Sequence, residues 1–162
     1  MNPKFCKHGT AVDLGDALRQ LDINEPFTLV IGFWQQEGGH KRVVNLLAPE
    51  ISPELWRKLW GPVTRQELLE LDRLIKDSKL PLQDLTPPRG APPEEPSAFS
   101  QAVIRLNPKI GSDGQRRLQC SIRFRDVFKQ LAPDANPAPQ ARPALWDAEF
   151  PGPIPSPPRA RN

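Results

Sequence analysis

The distribution of proline is the feature that most limits what this chain can fold into. Of the 21 prolines in 162 residues, nine lie in residues 133–161 and six in residues 80–97. Proline lacks a backbone N–H and fixes φ, so segments this rich in proline rarely form the interior of a helix or a sheet. We therefore expect a single domain at residues 1–132, with a proline-rich loop inside it, and an extended or disordered tail at residues 133–162.

Within that domain, residues 101–125 carry the pattern of a basic β-hairpin. From position 118 apolar residues alternate strictly with polar ones, which is the period of a half-buried strand. The apolar set is Leu118, Cys120, Ile122 and Phe124, and the opposite set is Arg117, Gln119, Ser121, Arg123 and Arg125. A short apolar run at residues 102–106 predicts the partner strand, and Asn, Pro, Gly and Asp residues at 107–114 predict the turn.

Charge distinguishes this hairpin from the rest of the chain. Residues 101–131 hold seven basic and two acidic residues, while the whole chain has a net charge of only +3. Guanidinium groups on one side of a β-ribbon bind phosphates bidentately and reach base edges, so a nucleic acid is the candidate partner. The residues that we expect to contact DNA are Lys109, Arg116, Arg117 and Arg123. The alternative is a solvated strand face without a ligand.

The remaining segments predict an α+β domain. Apolar residues at helical spacing predict a helix over residues 11–21, preceded by Thr10. An apolar run at 27–34 and a second at 42–47 predict two strands that turn at Gly38–Gly39. The sequences Ser52-Pro53-Glu54 and Thr64-Arg65-Gln66-Glu67 predict two helix starts, and residues 126–131 predict a further short helix. The fold expected is a mixed or antiparallel sheet of about four strands packed with three to four helices.

Chemistry-bearing residues are sparse, and the sequence assigns no catalytic residue and no metal ligands. Cys6 and His8 form a single Cys-x-His pair, and Cys6 and Cys120 are expected to be free thiols in a reducing compartment. No apolar run is long enough to span a membrane and the first residues do not resemble a secretory signal. We therefore expect a cytoplasmic protein without membrane association.

Residues 27–77 also carry a resemblance to a known family. Their sequence is FTLVIGFWQQEGGHKRVVNLLAPEISPELWRKLWGPVTRQELLELDRLIKD. An apolar strand ending in Gly-Phe-Trp, a glycine turn with a lysine, a second strand and a helix of the Trp-x-x-Leu-Trp-Gly type resemble the C-terminal half of bacterial type II restriction endonucleases of the PD-(D/E)xK class. The resemblance extends over about residues 5–131. It implies a Mg²⁺-dependent enzyme that cleaves double-stranded DNA at a short site, usually as a homodimer.

The chain departs from that family at the metal site. Such nucleases need a Glu-x-Lys on a strand, and no Glu-x-Lys occurs here; Asp77-Ser78-Lys79 matches only the Asp-x-Lys variant, at the end of a predicted helix. The expectation is thus the DNA-binding part of a restriction-endonuclease-like protein that lacks the metal cluster, either truncated or completed by a missing N-terminal portion. No cofactor is evident in this chain, and Mg²⁺ is implied only if it is catalytic.

Two alternatives remain open from the sequence. The chain is a protein-interaction module if its proline-rich tail is the functional part, since residues 154–161 (IPSPPRAR) are suited to polyproline II recognition. It is a stand-alone nuclease if Asp77 or Asp113 belongs to an unrecognised metal site.

Overall fold

A computed structural model describes residues 3–77, 98–110 and 116–141. Within these ranges the chain forms eight strands and five α-helices, which confirms the α+β class. The strands are β1 (Lys4–Lys7), β2 (Val12–Asp16), β3 (Phe27–Thr28), β4 (Ile31–Glu37), β5 (His40–Leu47), β6 (Glu50–Ile51), β7 (Arg105–Ile110) and β8 (Arg116–Ile122). The helices are α1 (Ala17–Leu21), α2 (Pro53–Trp60), α3 (Arg65–Asp77), α4 (Ala98–Gln101) and α5 (Phe124–Asp126). None of these helices is both long enough and apolar enough to cross a membrane.

The strands form three small sheets where the sequence predicted about four strands in one. Their orders are β1–β4–β5, β2–β8–β7 and β3–β6. In the first sheet β1 runs parallel to β4, whereas every other pair is antiparallel. The mixed character that the sequence left open therefore comes from β1 alone.

The hairpin predicted around Gly38–Gly39 is confirmed. Glu37 pairs with His40 at the turn and the β4–β5 pairing ends at Ile31 and Leu47, while the separate β3–β6 sheet pairs Phe27 with Ile51. Val44 is an extra residue opposite the step from Phe33 to Trp34, which makes a β-bulge in β5. The predicted strands 27–34 and 42–47 are thus both present, with the first divided into β3 and β4.

The helix predicted over residues 11–21 was wrong in its first half. Residues 12–16 form β2, which pairs with β8, and Gly15 has φ +97°, a value outside the right-handed helical region. The helix starts only after Asp16, whose Oδ1 accepts a hydrogen bond from the Arg19 N–H at 2.9 Å. Pairing with a distant strand therefore overrides a helical spacing of apolar residues.

The two capped helices are confirmed at their predicted starts. Ser52 Oγ accepts from the Leu55 N–H at 3.2 Å and caps α2, which ends at Gly61 with φ +58°. The Thr64 N–H donates to Glu67 Oε2 at 2.8 Å, and the Glu67 N–H donates back to Thr64 Oγ1 at 3.3 Å, which is a complete capping box for α3. The tryptophans of α2, Trp56 and Trp60, are buried in the core.

The basic hairpin is present with a longer first strand than expected. β7 begins at Arg105 and continues through Asn107 and Pro108, which the sequence analysis placed in the turn. Proline is compatible with this position because β7 lies at the edge of its sheet, where one side of the strand needs no N–H donor. The predicted turn residues 111–114 and the predicted loop 80–97 lie outside the described residues.

The short helix predicted at 126–131 is confirmed as α5 followed by a π-helical turn, Val127–Leu131. Beyond it, residues 136–141 run along the free edge of β5. Asn45 Nδ2 donates to the carbonyls of Asn136 at 3.2 Å and Ala138 at 2.9 Å, and the Gln140 N–H donates to the Val44 carbonyl at 2.8 Å. The start of the proline-rich tail is therefore bound to the domain, and residues 142–162 lie outside the described residues.

Candidate nucleic-acid interface

The β7–β8 hairpin places one polar row from each strand on the same side of its sheet. Directly opposed residues of an antiparallel pair share a face, and the register pairs Arg105 with Ser121, Asn107 with Gln119, and Lys109 with Arg117. We call this surface the ribbon face; its members are Arg105, Asn107, Lys109, Arg117, Gln119 and Ser121. The opposite face of β8 carries Leu118, Cys120 and Ile122, all buried. The predicted division into an apolar and a polar side is therefore confirmed for residues 117–120, whereas Ser121 on the polar side is itself buried.

Two of the four expected DNA-contacting residues are brought together. Lys109 and Arg117 are exposed and lie directly across the ladder from each other. Opposed residues have Cβ atoms about 4.5–5.5 Å apart, and like charges in such a pair destabilise a sheet. This end of the ribbon face therefore carries an electrostatic cost that an external anion would relieve.

Arg116 lies on the other side of the strand. It is opposite Ile110 in the ladder, and its Nη1 donates to the carbonyl of Ile75 at 3.4 Å, near the C-terminal end of α3. A guanidinium at a helix C-terminus meets the negative end of the helix dipole. Arg116 thus connects β8 to α3 and does not share a surface with Lys109.

Arg123 sits at the other end of β8, beyond the last paired residue. It is exposed and precedes α5 at the N-cap position with extended backbone angles. The strand predicted to continue through Phe124 ends at Ile122, because Phe124 turns inward to pack edge-on against Phe33 with ring centroids 4.8 Å apart.

Four residues of the ribbon face that the sequence did not single out, Arg105, Asn107, Gln119 and Ser121, lie between these ends. Asn107 and Gln119 oppose each other, and Asn107 Nδ2 donates to Ser121 Oγ at 2.7 Å. Arg105 is half-buried, and its Nε is shielded from solvent with no hydrogen-bond partner. The signal that would have found Arg105 and Asn107 is the alternation of Arg105, Asn107 and Lys109, which becomes visible once Pro108 is accepted in an edge strand.

The other edge of the same sheet is acidic. Asp13 opposes Ser121 and Asp16 opposes Gln119, so both carboxylates lie on the same side as the ribbon face. Each binds a backbone N–H: Asp13 Oδ1 accepts from Gly15 at 2.8 Å, and Asp16 caps α1. The sheet surface is therefore polarised from acidic on β2 to basic on β7.

The basic residues of the hairpin have no carboxylate partners among the described residues. The four ion pairs in the described ranges join Arg42 to Glu37, Arg65 to Asp22, Arg73 to Asp77, and Lys76 to Asp72. These pairs are exposed to different degrees and are spread over the β4–β5 hairpin, α1 and α3. None of these ion pairs neutralises Lys109 or Arg117.

The described residues do not fit the Mg²⁺ that the restriction-endonuclease resemblance implies. In the described ranges no three His, Cys, Asp or Glu side chains are close enough together to hold a metal ion. Asp77 ends α3, as expected, and forms an exposed ion pair with Arg73, while Asp113 lies outside the described residues. We therefore derive no reaction step through a metal.

The two cysteines are free thiols, as predicted, and each lies in a different sheet. Burial raises the pKa of the Cys120 thiol to about 12, and burial also raises the pKa of Cys6, on β1. A reactive cysteine needs a lowered pKa, because the thiolate is the nucleophile. Both thiols therefore behave as small apolar side chains at neutral pH.

Comparisons of this chain with protein-family models, with curated proteins and with solved structures found no match.

Proposed function

We propose that this chain binds double-stranded DNA through the ribbon face, as the DNA-binding part of a type II restriction-endonuclease-like protein. The observation that carries the proposal is the exposed Lys109–Arg117 pair, two like charges opposed across the hairpin, neither of which forms an ion pair with a carboxylate of the described residues. A phosphate placed between two such cations removes their repulsion and accepts charge-assisted hydrogen bonds from both.

The length of β8 supports a groove-spanning contact. At about 3.3 Å per residue, the six steps from Arg117 to Arg123 cover about 20 Å. The major groove of B-DNA is about 12 Å wide and admits a two-stranded β-ribbon. Under this proposal Lys109 and Arg117 contact the phosphates on one side of the groove and Arg123 contacts those on the other.

The residues between those ends suit base readout. Asn107 and Gln119 are opposed amides at the centre of the ribbon face, and Asn and Gln bind adenine bidentately in the major groove. In this arrangement phosphate contacts at the ends set the register, and the amides carry the sequence preference. Reading by Asn107 requires its side chain to exchange the bond to Ser121 for one to a base.

The wider assignment follows the family resemblance. A cytoplasmic location and a homodimer or a separate portion that supplies the metal-binding carboxylates belong to the same proposal. Cleavage is not assigned to this chain, since its described residues provide no metal cluster.

The test is duplex DNA binding across a salt series with the full chain and a double variant, Lys109→Gln with Arg117→Gln. Each lost phosphate contact lowers the slope of log K against log salt by about 0.9, so the double variant should lower it by about two. Arg123→Gln should lower it by about one, and Arg116→Gln by less, because Arg116 is bound to Ile75. A parallel series with Mg²⁺ scores cleavage.

The matched control is Arg19→Gln with Lys58→Gln, which removes the same charge from exposed positions on α1 and α2. If this control lowers the slope as much as the hairpin variant, binding reflects net charge alone and the ribbon face is not the interface. An unchanged slope in the hairpin variant rejects the proposal outright.

A further inference from the structure

The sheet formed by β1, β4 and β5 has an outer face that combines aromatic and basic side chains. The register places Phe5 beside Gly32 and Lys7 beside Trp34, and on the other side of β4 it places Leu46 and Val43 beside the same two residues. We call this surface the aromatic face; its members are Phe5, Lys7, Gly32, Trp34, Gln36, Lys41, Val43 and Leu46. The opposite face carries Ile31, Phe33 and Leu47, which are buried in the core.

Phe5 lies on this surface and not in the core. Its side chain is 61% exposed, although phenylalanine is among the residues most often buried. The Cδ1 and Cε1 atoms of its ring lie 2.6 Å from the position that a Cβ on Gly32 would occupy. Any side chain at position 32 would therefore displace the ring, so the glycine lets Phe5 rest against β4.

Trp34 is the second ring of the face, and it is already in contact with a cation. Lys41 Nζ lies 4.3 Å from the centroid of the Trp34 ring, within the range of a cation–π interaction. Lys7 is adjacent to Trp34 on the parallel strand β1. Strand spacing and rise place the Cα atoms of Phe5 and Trp34 about 8 Å apart. Two rings and two ammonium groups thus occupy one side of three neighbouring strands.

The charge of this surface is of one sign. Its eight members include two lysines and no carboxylate. Val43, Leu46 and Trp34 are only half-buried, so the apolar part of the face meets solvent. An exposed apolar surface with a basic rim is typical of a binding surface for a ligand that is both planar and anionic.

We propose that the aromatic face binds single-stranded DNA by stacking unpaired bases on Phe5 and on Trp34, with Lys41 exchanging its contact with the Trp34 ring for a phosphate and Lys7 contacting a second phosphate. Every base has a π-face, so stacking tolerates any sequence, and a positively charged groove beside the rings follows the backbone. Paired bases are stacked within the duplex and cannot stack on a flat sheet, which separates this ligand from the duplex proposed for the ribbon face. Only the choice of DNA over RNA rests on that proposed function.

The first test measures the affinity of the full chain for fluorescently labelled oligo(dT), with a backbone-matched abasic oligonucleotide as competitor. Removing one stacking platform by Phe5→Ala should weaken binding about 5- to 150-fold. Phe5→Trp keeps a ring at this position and should restore the affinity. Leu74→Ala, which truncates another exposed apolar side chain, 66% exposed on α3, is the matched control and should leave the affinity unchanged.

The second test separates stacking from charge. Lys7→Gln and Lys41→Gln should each lower the salt slope for oligo(dT) by about 0.7, the value for a phosphate of a single strand. Equal affinity for oligo(dT) and for the abasic competitor would mean that the bases are not contacted, and it would overturn the proposal. Tighter binding of oligo(U) than of oligo(dT) would overturn the choice of DNA.

Self-association is the other outcome to be measured, by sedimentation of the chain with and without Phe5→Ala. A wild-type dimer that dissociates in the variant, with unchanged oligo(dT) binding, would assign the face to a second copy of this chain and reject the proposal.

The double variant Lys109→Gln/Arg117→Gln should retain oligo(dT) binding. If the double variant loses duplex binding while Phe5→Ala leaves the affinity for oligo(dT) unchanged, the ribbon-face proposal stands and the aromatic-face proposal fails.

Discussion

The two three-stranded sheets of this protein each expose a positively charged surface, but the two surfaces are built from different chemical groups. The ribbon face presents guanidinium, ammonium and amide groups, all of which form directional hydrogen bonds. The aromatic face presents two rings with lysines beside them. Hydrogen-bonding groups in a fixed row suit a partner whose base edges and phosphates are held in fixed positions, as they are in a duplex. Flat rings suit a partner whose bases are free to turn.

The free edges of the two sheets differ as well. The edge of β5 is covered by residues 136–141, which bind Asn45, Val44 and Arg42. The edge strand β7 carries Pro108 and Lys109, which discourage pairing with another strand. The first edge is protected by another part of the chain, and the second by its own residue types.

The sharpest contrast between inner and outer faces is that of two phenylalanines in one sheet. Phe33 is fully buried among His8, Phe124 and Phe128, whereas Phe5 is on the aromatic face. Phe33→Ala should lower the free energy of unfolding by about 3–5 kcal/mol, since it leaves a cavity. Phe5→Ala should lower it by about 1 kcal/mol, because little of its area is buried. Urea denaturation of both variants provides the measurement, and a loss at Phe5 as large as that at Phe33 would make Phe5 a core residue.

The two surfaces should also separate by ligand. At 0.1 M salt, losing two phosphate contacts through Lys109→Gln/Arg117→Gln should weaken duplex binding about 50-fold and leave oligo(dT) binding unchanged. Phe5→Ala should do the reverse. Anisotropy titrations of both variants with both ligands provide the measurement. If either variant weakens both ligands equally, the chain has one shared interface and the comparison between the faces is wrong.

Loosening the segment that covers the edge of β5 should lower the stability by less than Phe33→Ala does. Asn45→Ala removes two hydrogen bonds to the carbonyls of residues 136 and 138, and should lower the free energy of unfolding by about 1–2 kcal/mol. It should also release residues 136–141, which hydrogen exchange at the Gln140 N–H reports. Asn24→Ala, which truncates an exposed amide between α1 and β3, is the control and should change neither quantity. Unchanged exchange at Gln140 in Asn45→Ala would mean that Asn45 does not hold this segment.

Cys120 and Cys6 should differ in how strongly each affects the stability of the protein at alkaline pH. The pKa of folded Cys120 is raised to about 12 from an ordinary value of 9.0 by burial, so the folded state favours the neutral thiol. Its contribution to stability is complete below pH 9 and is lost as the pH rises from about 9 towards 12. Cys120→Ala should therefore show a shallower fall in stability over this window than the wild type. Cys6→Ala, with a less buried thiol, should change the slope less, and equal slopes in all three proteins would contradict the difference in burial.

Local signals in the sequence were sufficient for much of the fold. Ser52-Pro53 and the Thr64–Glu67 capping box fixed where α2 and α3 begin, because capping depends on groups within three residues. Gly38–Gly39 identified the β4–β5 turn for the same reason. The alternation from Leu118 to Ile122 correctly assigned Cys120 to the core and Arg117 to the surface.

Residues 12–16 show where local signals were not sufficient. Their apolar residues fit a helical spacing, and only pairing with β8, more than 100 residues later, makes them a strand. The placement of Arg116 behind the hairpin and of Arg123 beyond it depends equally on where α3 and Phe33 lie.

The sequence by itself determined the class of fold, the two capped helices, both hairpins and the basic character of the second one, since each depends on neighbours along the chain. Only the tertiary structure decided which basic residues share a surface, that β1 joins β4 in parallel, and that Phe5 lies against Gly32 beside Trp34. These arrangements join residues that are distant in sequence, and the register between strands, which no single segment encodes, determines which side chains meet.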